Sequence, residues 1–454
     1  TARARWGNDM HDTVKLRPTL REALEEGPFT AFQIRCALIA VLAVVLDGFD
    51  IQLLGVAMPS LMKAWGVDKA AFVPVIAGGL LAMSLATTVS GWLGDRIGRR
   101  PCLIGALVIF GLGTLGATFA TSLPLFLAVR LVASLGMGGA MPVAIAILAE
   151  YTPRRHRGLT VTASMVCMPL GGMLAGVVAA QLVPLFGWPS LFVVGGAAPL
   201  AFAVILLFGL PESAHYLRAK GRVAELGKLA ERLGARVVPA AVEAGTIESK
   251  GQFSALFADG LGTTTLLIWG LFLAGLLAAY TCFNWLPTLL TRGGQSIATG
   301  SLALAAFNFG GILGTALGAL LIGRLGSKAT ITGFALAGMA AAAASIAVVG
   351  ATQEAHVVEA AMAVTGFCLV GVQTMLFALA SHAYPDHLRA TGVGVALGVG
   401  RLGGLASSAV GAVLVGQGYA GFFGFLAVLM AAVGLFLLML RLHIPSAHHQ
   451  GESA

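Results

Sequence analysis

Asp47 and Asp50 lie three residues apart in "VVLDGFDIQLL", a stretch otherwise almost free of polar side chains. At that spacing both carboxylates project from one face of a helix. Two arginines have equally apolar surroundings, Arg130 in "LFLAVRLVASL" and Arg401 in "GVGRLGG". An ionised group surrounded by lipid costs about 2.5 kcal/mol or more, so each of the four is a candidate for function. Two neighbouring carboxylates in a poorly solvated place resist being charged together, which makes the pair a proton-binding site. A guanidinium in the same setting offers a planar, two-pronged partner for an anion.

The elements that carry these residues are membrane helices. Of 454 residues, 57% are hydrophobic and only 11% are charged, against about 25% charged in soluble domains. Mean hydropathy is +0.89. The apolar residues fall into blocks of membrane length, about 20 residues. Spans are predicted at 35–58, 72–93, 102–120, 124–149, 159–182, 190–210, 264–287, 300–322, 330–350, 357–380, 391–415 and 420–441. The runs are continuous, as in "LLIWGLFLAGLLAAY", with no period-two alternation, which selects helices over a barrel. The 61 glycines suit close helix packing in lipid, with small-xxx-small spacing at Gly172 and Gly176 and at Gly310, Gly314 and Gly318.

Basic residues set the expected orientation. Most of the 28 Lys and Arg lie in the tails, the long linker and the loops holding Arg96, Arg99, Arg100, Arg154, Arg155 and Arg157. Only Lys63, Lys69 and Arg292 lie in loops on the other side. Both termini and the linker are therefore expected in the cytoplasm. The net charge of +8 expresses this bias and is no nucleic-acid footprint, because no basic face accompanies a soluble domain. Residues 1–34 lack the apolar core of a signal peptide. Cys36, Cys102, Cys167, Cys282 and Cys368 show no metal-ligand spacing.

Residues 213–262 form the one long polar segment, and "AHYLRAKGRVAELGKLAERLGARV" has the spacing of a short surface helix. The predicted organisation is a cytosolic tail (1–34), a six-helix bundle (35–212), a cytosolic linker (213–262), a second six-helix bundle (263–442) and a cytosolic tail (443–454). The halves echo each other. Pro153 and Arg157 recur as Pro385 and Arg389, Gly171-Gly172 as Gly403-Gly404, "GDRIGRR" (94–100) as "GRLGSK" (323–328), and "AMPSLM" (57–62) as "WLPTLL" (285–290). Internal symmetry of this kind marks secondary transporters, whose substrate site lies between the repeats near mid-membrane.

Three loops carry a family resemblance. "GWLGDRIGRRP" (91–101), "EYTPRRHRG" (150–158) and "PESAHYL" (211–217) resemble the cytoplasmic signatures of the major facilitator superfamily. Within it, "DGFD" (47–50), "SLGMGGAMP" (134–142), "NWLPTLL" (284–290) and "RATGVGVALGVGRLGG" (389–404) resemble the aromatic acid:proton symporters. The likeness runs over residues 35–442. It implies an all-α fold of twelve transmembrane helices in two pseudo-symmetric bundles. It also implies uptake of an aromatic carboxylate such as a hydroxybenzoate, driven by the proton gradient with no bound cofactor, by a monomer in a bacterial inner membrane. One departure stands out: Gly323 occupies the place of the acidic residue expected before Arg324.

Under that resemblance, Asp47 and Asp50 are the proton-coupling candidates, and Arg130 or Arg401 is the partner for the substrate carboxylate. Counting roughly 1.5 Å per residue, Asp50 lies about 13 Å from the outer end of span one, Arg130 about 9 Å from that of span four, and Arg401 about 16 Å into span eleven. All three fall near mid-membrane. Phe49, Tyr280, Phe283, Trp285 and Phe307 could wall an aromatic ring, and Asn284, Asn308 and Gln373 could bond a ring hydroxyl. Gly91, Asp95, Arg96, Gly98, Arg99, Glu150, Arg157 and Arg389 read as a cytoplasmic gating latch. The structural alternatives are that the aspartates simply pair with Arg130, or that either arginine only positions its helix. A muconate-like anion is the alternative cargo. Efflux by proton antiport is disfavoured because span five, "MPLGGMLAG" (168–176), has no Gly-Pro step. A signalling receptor would need a further cytosolic domain, and an intramembrane enzyme would need a metal or nucleophile cluster that is absent from the spans.

Overall fold

The computed structural model describes residues 18–235, 253–258 and 260–445. The remaining parts of the predicted tails and linker lie outside the described residues. The first bundle comprises α1 (Ala31–Trp65), α2 (Val73–Ile97), α3 (Arg99–Gly116), α4 (Leu123–Tyr151), α5 (Arg154–Phe186) and α6 (Pro189–Gly209). The second begins with α7 (Gly262–Arg292) and continues into an unbroken helical run, Ile297–Ala351. Those 55 residues would reach about 80 Å, more than twice the ~30 Å hydrocarbon core. Gly326 breaks the run with φ 80° and ψ 165°, a conformation that a side chain would strain. Residues 297–325 and 327–351 are therefore two crossings, α8 and α9. Helices α10 (Ala355–Ala383), α11 (Asp386–Gly416) and α12 (Gly418–Met439) complete the set.

Local chemistry marks the ends. Thr30 and Gln33 form a capping box before α1, and Gly66 ends it in the left-handed region at φ 62°. Proline stands in the first turn of α2, α4 and α6, where its missing N–H costs nothing. Outward faces are apolar, with Leu85, Phe208, Leu320 and Val428 exposed. The linker supplies two short helices, Ala214–Ala219 and Val223–Arg232. The second buries Leu226, Leu229 and Ala230 on one face.

The packing repeats with an offset of six helices. Helix α1 lies on α5 as α7 lies on α11, α2 on α4 as α8 on α10, and α3 on α6 as α9 on α12. The bundles meet through α5 against α8, α2 against α11, and α1 against α7. Small residues permit these crossings. A Cβ on Gly171 would lie 2.0 Å from the Val45 carbonyl oxygen of α1, and one on Gly176 2.5 Å from the Ser301 carbonyl oxygen of α8.

Candidate functional site

The loops with Arg99, Arg154 and the linker mark one end of the molecule, here called the basic end. Between the bundles, in the half nearer that end, lies a cavity of about 170 Å³. The first bundle lines it with Met83, Met141, Ile145, Met168 and Pro169, and the second with Tyr280, Phe283, Gln373, Phe377 and Arg401 among others. The Tyr280 and Phe283 rings stand edge to face at 5.9 Å. The walls are methionine, aromatic and aliphatic, and Arg401 is the one ionisable lining side chain apart from the Tyr280 phenol.

The two arginines differ in their partners. Arg130 is buried and aligned with Asp50, with Nη1 to Oδ1 at 3.0 Å and Nη2 to Oδ2 at 2.9 Å. The Thr114 hydroxyl donates to the same Oδ1 at 3.0 Å. This pair is matched within the first bundle, which is the structural alternative raised for Asp50. Arg130 also edges a smaller cavity of about 40 Å³ with Ser134, Tyr280 and Asn284. Arg401 has no ion pair among the described residues. Asp47 is buried, and neither of its carboxylate oxygens has a hydrogen-bond partner among the described residues. It lies within electrostatic reach of both Asp50 and Arg401. The unmatched acid and the unmatched base are therefore Asp47 on α1 and Arg401 on α11, one from each bundle.

Of the remaining residues expected in the site, Tyr280 and Gln373 line the larger cavity and Asn284 the smaller. Four do not line either. Trp285 is fully buried within the second bundle, where its indole N–H donates to the Ser407 carbonyl at 3.0 Å. Phe49 packs into the first bundle against Leu53 and Gly195. Phe307 backs Phe283 at 6.1 Å and stays out of the lining. Asn308 is engaged by Gln52 of the opposite bundle: Gln52 Nε2 donates to Asn308 Oδ1 at 2.9 Å, and Asn308 Nδ2 donates to Gln52 Oε1 at 2.7 Å. This reciprocal amide pair is fully buried. It ties the bundles together on the side of the cavity away from the basic end.

At the basic end, Arg99 pairs with Glu150 at 2.8 Å. Glu150 also accepts from the Ser213 hydroxyl at 2.8 Å and the His215 amide at 3.0 Å. Glu212 accepts from the Arg100 amide at 3.1 Å, and the Tyr151 hydroxyl donates to the Glu212 carbonyl at 2.8 Å. Gly98 turns the chain at φ 106°, and a Cβ there would strike the Glu212 carboxylate. These residues fasten the first bundle to the start of the linker. Arg96 stacks 4.2 Å over Trp92. Gly91 and Asp95 are exposed, the half-buried Arg157 leaves its Nε unpartnered, and Arg389 is exposed on α11. Among the described residues, Gly91, Asp95 and Arg157 do not join this cluster.

With the geometry in place, comparison with known proteins fixes the family. The profile of the Major Facilitator Superfamily matches residues 40–408. The chain belongs to the Major Facilitator Superfamily. As a member, it is a membrane transporter and not an enzyme. It is 37% identical over 402 residues to the 4-hydroxybenzoate transporter PcaK of Pseudomonas aeruginosa, covering 86% of this chain and 88% of that one. It is 34% identical over 438 residues to the gallate transporter of Pseudomonas putida, covering 94% and 92%. The fold matches a D-xylose-proton symporter with a TM-score of 0.69 at 17% identity, over 91% of this chain and 98% of that one.

Sequence reasoning missed several members of this superfamily site. Glu212 and Ser213 stood in a quoted motif without a role; their polarity beside Glu150 and Arg99 becomes meaningful only once the chain folds back. Met83, Met141 and Met168 gave no signal, because methionine in an apolar span is indistinguishable from packing. Gln52, five positions beyond Asp47, was a visible polar residue in an apolar run.

Proposed function

We propose that this chain carries an aromatic carboxylate, such as a hydroxybenzoate, together with a proton into the cell by alternating access. The observation that supports the reading most is Arg401, an ion-unpaired guanidinium in a cavity otherwise walled by rings, methionines and aliphatic side chains. A flat ring would lie between Tyr280, Phe283, Phe377 and the methionines while its carboxylate takes the guanidinium fork. The relatives named for 4-hydroxybenzoate and gallate support the same cargo.

Charge balance then gives the coupling. Closing the cavity around a net charge is unfavourable, by about 2.5 kcal/mol or more for one group. The Asp50–Arg130 pair cancels itself and drops out. An empty carrier holds Asp47 as carboxylate and Arg401 as cation, which sum to zero. A carrier with a proton on Asp47 and an anion on Arg401 also sums to zero. Proton alone leaves one positive charge, and anion alone leaves one negative. Only the empty and doubly loaded forms cross easily, which is symport of one proton per monoanion. No bound cofactor enters the cycle.

The basic end is the cytoplasmic side of a bacterial inner membrane, with the N-terminal region and linker inside. The cavity lies toward that side and the Gln52–Asn308 pair toward the other, which supports an inward-facing form. Both walls of the cavity come from one chain, and the working unit is a monomer.

The test is counterflow in vesicles reconstituted with the full chain. Preloaded hydroxybenzoate should drive entry of labelled hydroxybenzoate and benzoate, with little exchange of muconate and none of a hexose. Exchange of the hexose alone would overturn the assignment.

A further inference from the structure

Gln373 is a buried amide that the fold leaves unserved at both ends among the described residues. It sits on α10, is 8% exposed and lines the same cavity as Arg401. Neither its Oε1 nor its Nε2 has a hydrogen-bond partner among the described residues. A primary amide holds two donors and an acceptor oxygen, and leaving both ends bare in a buried place is unfavourable. Among the described residues, Asn284 is the other buried amide of this region with an unpartnered atom, its Nδ2. Gln52 and Asn308 satisfy each other, and Asn284 lines the smaller cavity beside Arg130, whose charge Asp50 already matches. Thr374, the neighbouring lining residue, gives its hydroxyl proton to the Val370 carbonyl at 2.9 Å.

Gly275 of α7 makes room for this amide. A Cβ at Gly275 would lie 2.1 Å from Gln373 Oε1. Any larger residue there would force the amide out of its place without altering its chemistry.

We infer that Gln373 is a specificity-determining residue that reads a ring hydroxyl of the aromatic carboxylate. The hydroxyl donates to Oε1 and accepts from Nε2 while the carboxylate rests on Arg401. Water can serve the amide between cycles, and a phenol replaces that water bond for bond. An unsubstituted ring displaces the water and returns nothing, so it is discriminated against. Gly275 is the positioning residue for the amide. This inference rests on the aromatic-acid reading above and deepens it.

The experiment measures uptake of benzoate, 3-hydroxybenzoate and 4-hydroxybenzoate by the reconstituted full chain under an imposed pH gradient. Wild type, Gln373→Leu and Gly275→Ala are compared. Wild type should favour at least one hydroxybenzoate over benzoate in kcat/KM by roughly 10- to 100-fold, the value of one or two hydrogen bonds at a buried site. In Gln373→Leu the hydroxybenzoate-to-benzoate ratio of kcat/KM should fall toward one, and Gly275→Ala should shift the ratio the same way. A hydroxybenzoate-to-benzoate ratio unchanged within twofold in Gln373→Leu would refute the inference. So would loss of all three acids together in both variants. Failure of the wild type to move any of the acids would instead remove the underlying reading, which keeps the two outcomes apart.

Discussion

Arg130 and Arg401 carry the same charge near the same depth, yet among the described residues only Arg130 has a carboxylate against it. The consequences of mutation should differ accordingly. Asp50→Asn leaves Arg130 buried without its counter-charge, and breaking a buried pair typically costs about 3–5 kcal/mol. A thermal-unfolding comparison in detergent should show a clear drop in Tm for Asp50→Asn. An unchanged Tm would remove the structural role of the pair. Arg401→Leu removes a charge that no ion pair holds, so the protein should fold and reach the membrane normally while transport disappears. Arg401→Lys keeps the charge but loses the fork, and KM for the acid should rise by about tenfold or more. A normal KM in the lysine variant would argue that the guanidinium does not meet the carboxylate. The sequence put three of the four charges, Asp50, Arg130 and Arg401, near one depth. It did not show which acid faces which base, because that is decided by helix rotation and by contacts between residues 80 positions apart or more.

Helices were the legible level. Each of the twelve apolar blocks is a helix or an arm of one, and even the break at Gly326 falls in the gap left between spans eight and nine. The ends were less legible. Helix α1 runs from Ala31 to Trp65, several residues beyond the predicted 35–58 at both ends. Hydropathy falls where the chain leaves hydrocarbon, but backbone hydrogen bonding continues until a cap or a glycine stops it. The cavity was legible only in part. Tyr280, Gln373 and Arg401 line it, whereas Trp285 stands two residues from the lining Phe283 and points elsewhere, and Asn308 sits on a helix that does not line it. A rotation of 100° per residue separates a lining position from a packing one, and apolar spans give no periodicity to fix it. The α1–α8 contact offers a prediction of its own. Gln52→Leu breaks both amide hydrogen bonds and leaves buried Asn308 Oδ1 without its donor. The bundles should then separate more readily on that side. A cysteine placed at Ser301, which is fully buried beneath Gly176, should react with a soluble maleimide several-fold faster in the Gln52→Leu background. Equal rates would mean that the amide pair does not hold this side shut.

At the scale of the whole molecule, two bundles with few membrane charges meet at a cavity that Arg401 lines, with Asp47 buried within electrostatic reach of it. Asp47 comes from the first bundle and Arg401 from the second. In the proposed cycle their charges cancel when the carrier is empty, and proton and anion cancel when it is full. If this arithmetic governs the cycle, a pH gradient drives accumulation of a monoanionic acid and a membrane potential alone does not. The decisive measurement follows from taking the proton site away. In reconstituted vesicles, Asp47→Asn and wild type are compared for two activities on a labelled hydroxybenzoate: exchange without a gradient, and accumulation under an inside-alkaline gradient. Asp47→Asn fixes the site in a form that mimics the protonated acid. The variant should retain exchange and lose accumulation, with no alkalinisation of the external medium when substrate is added. Accumulation by Asp47→Asn equal to that of the wild type would contradict the account.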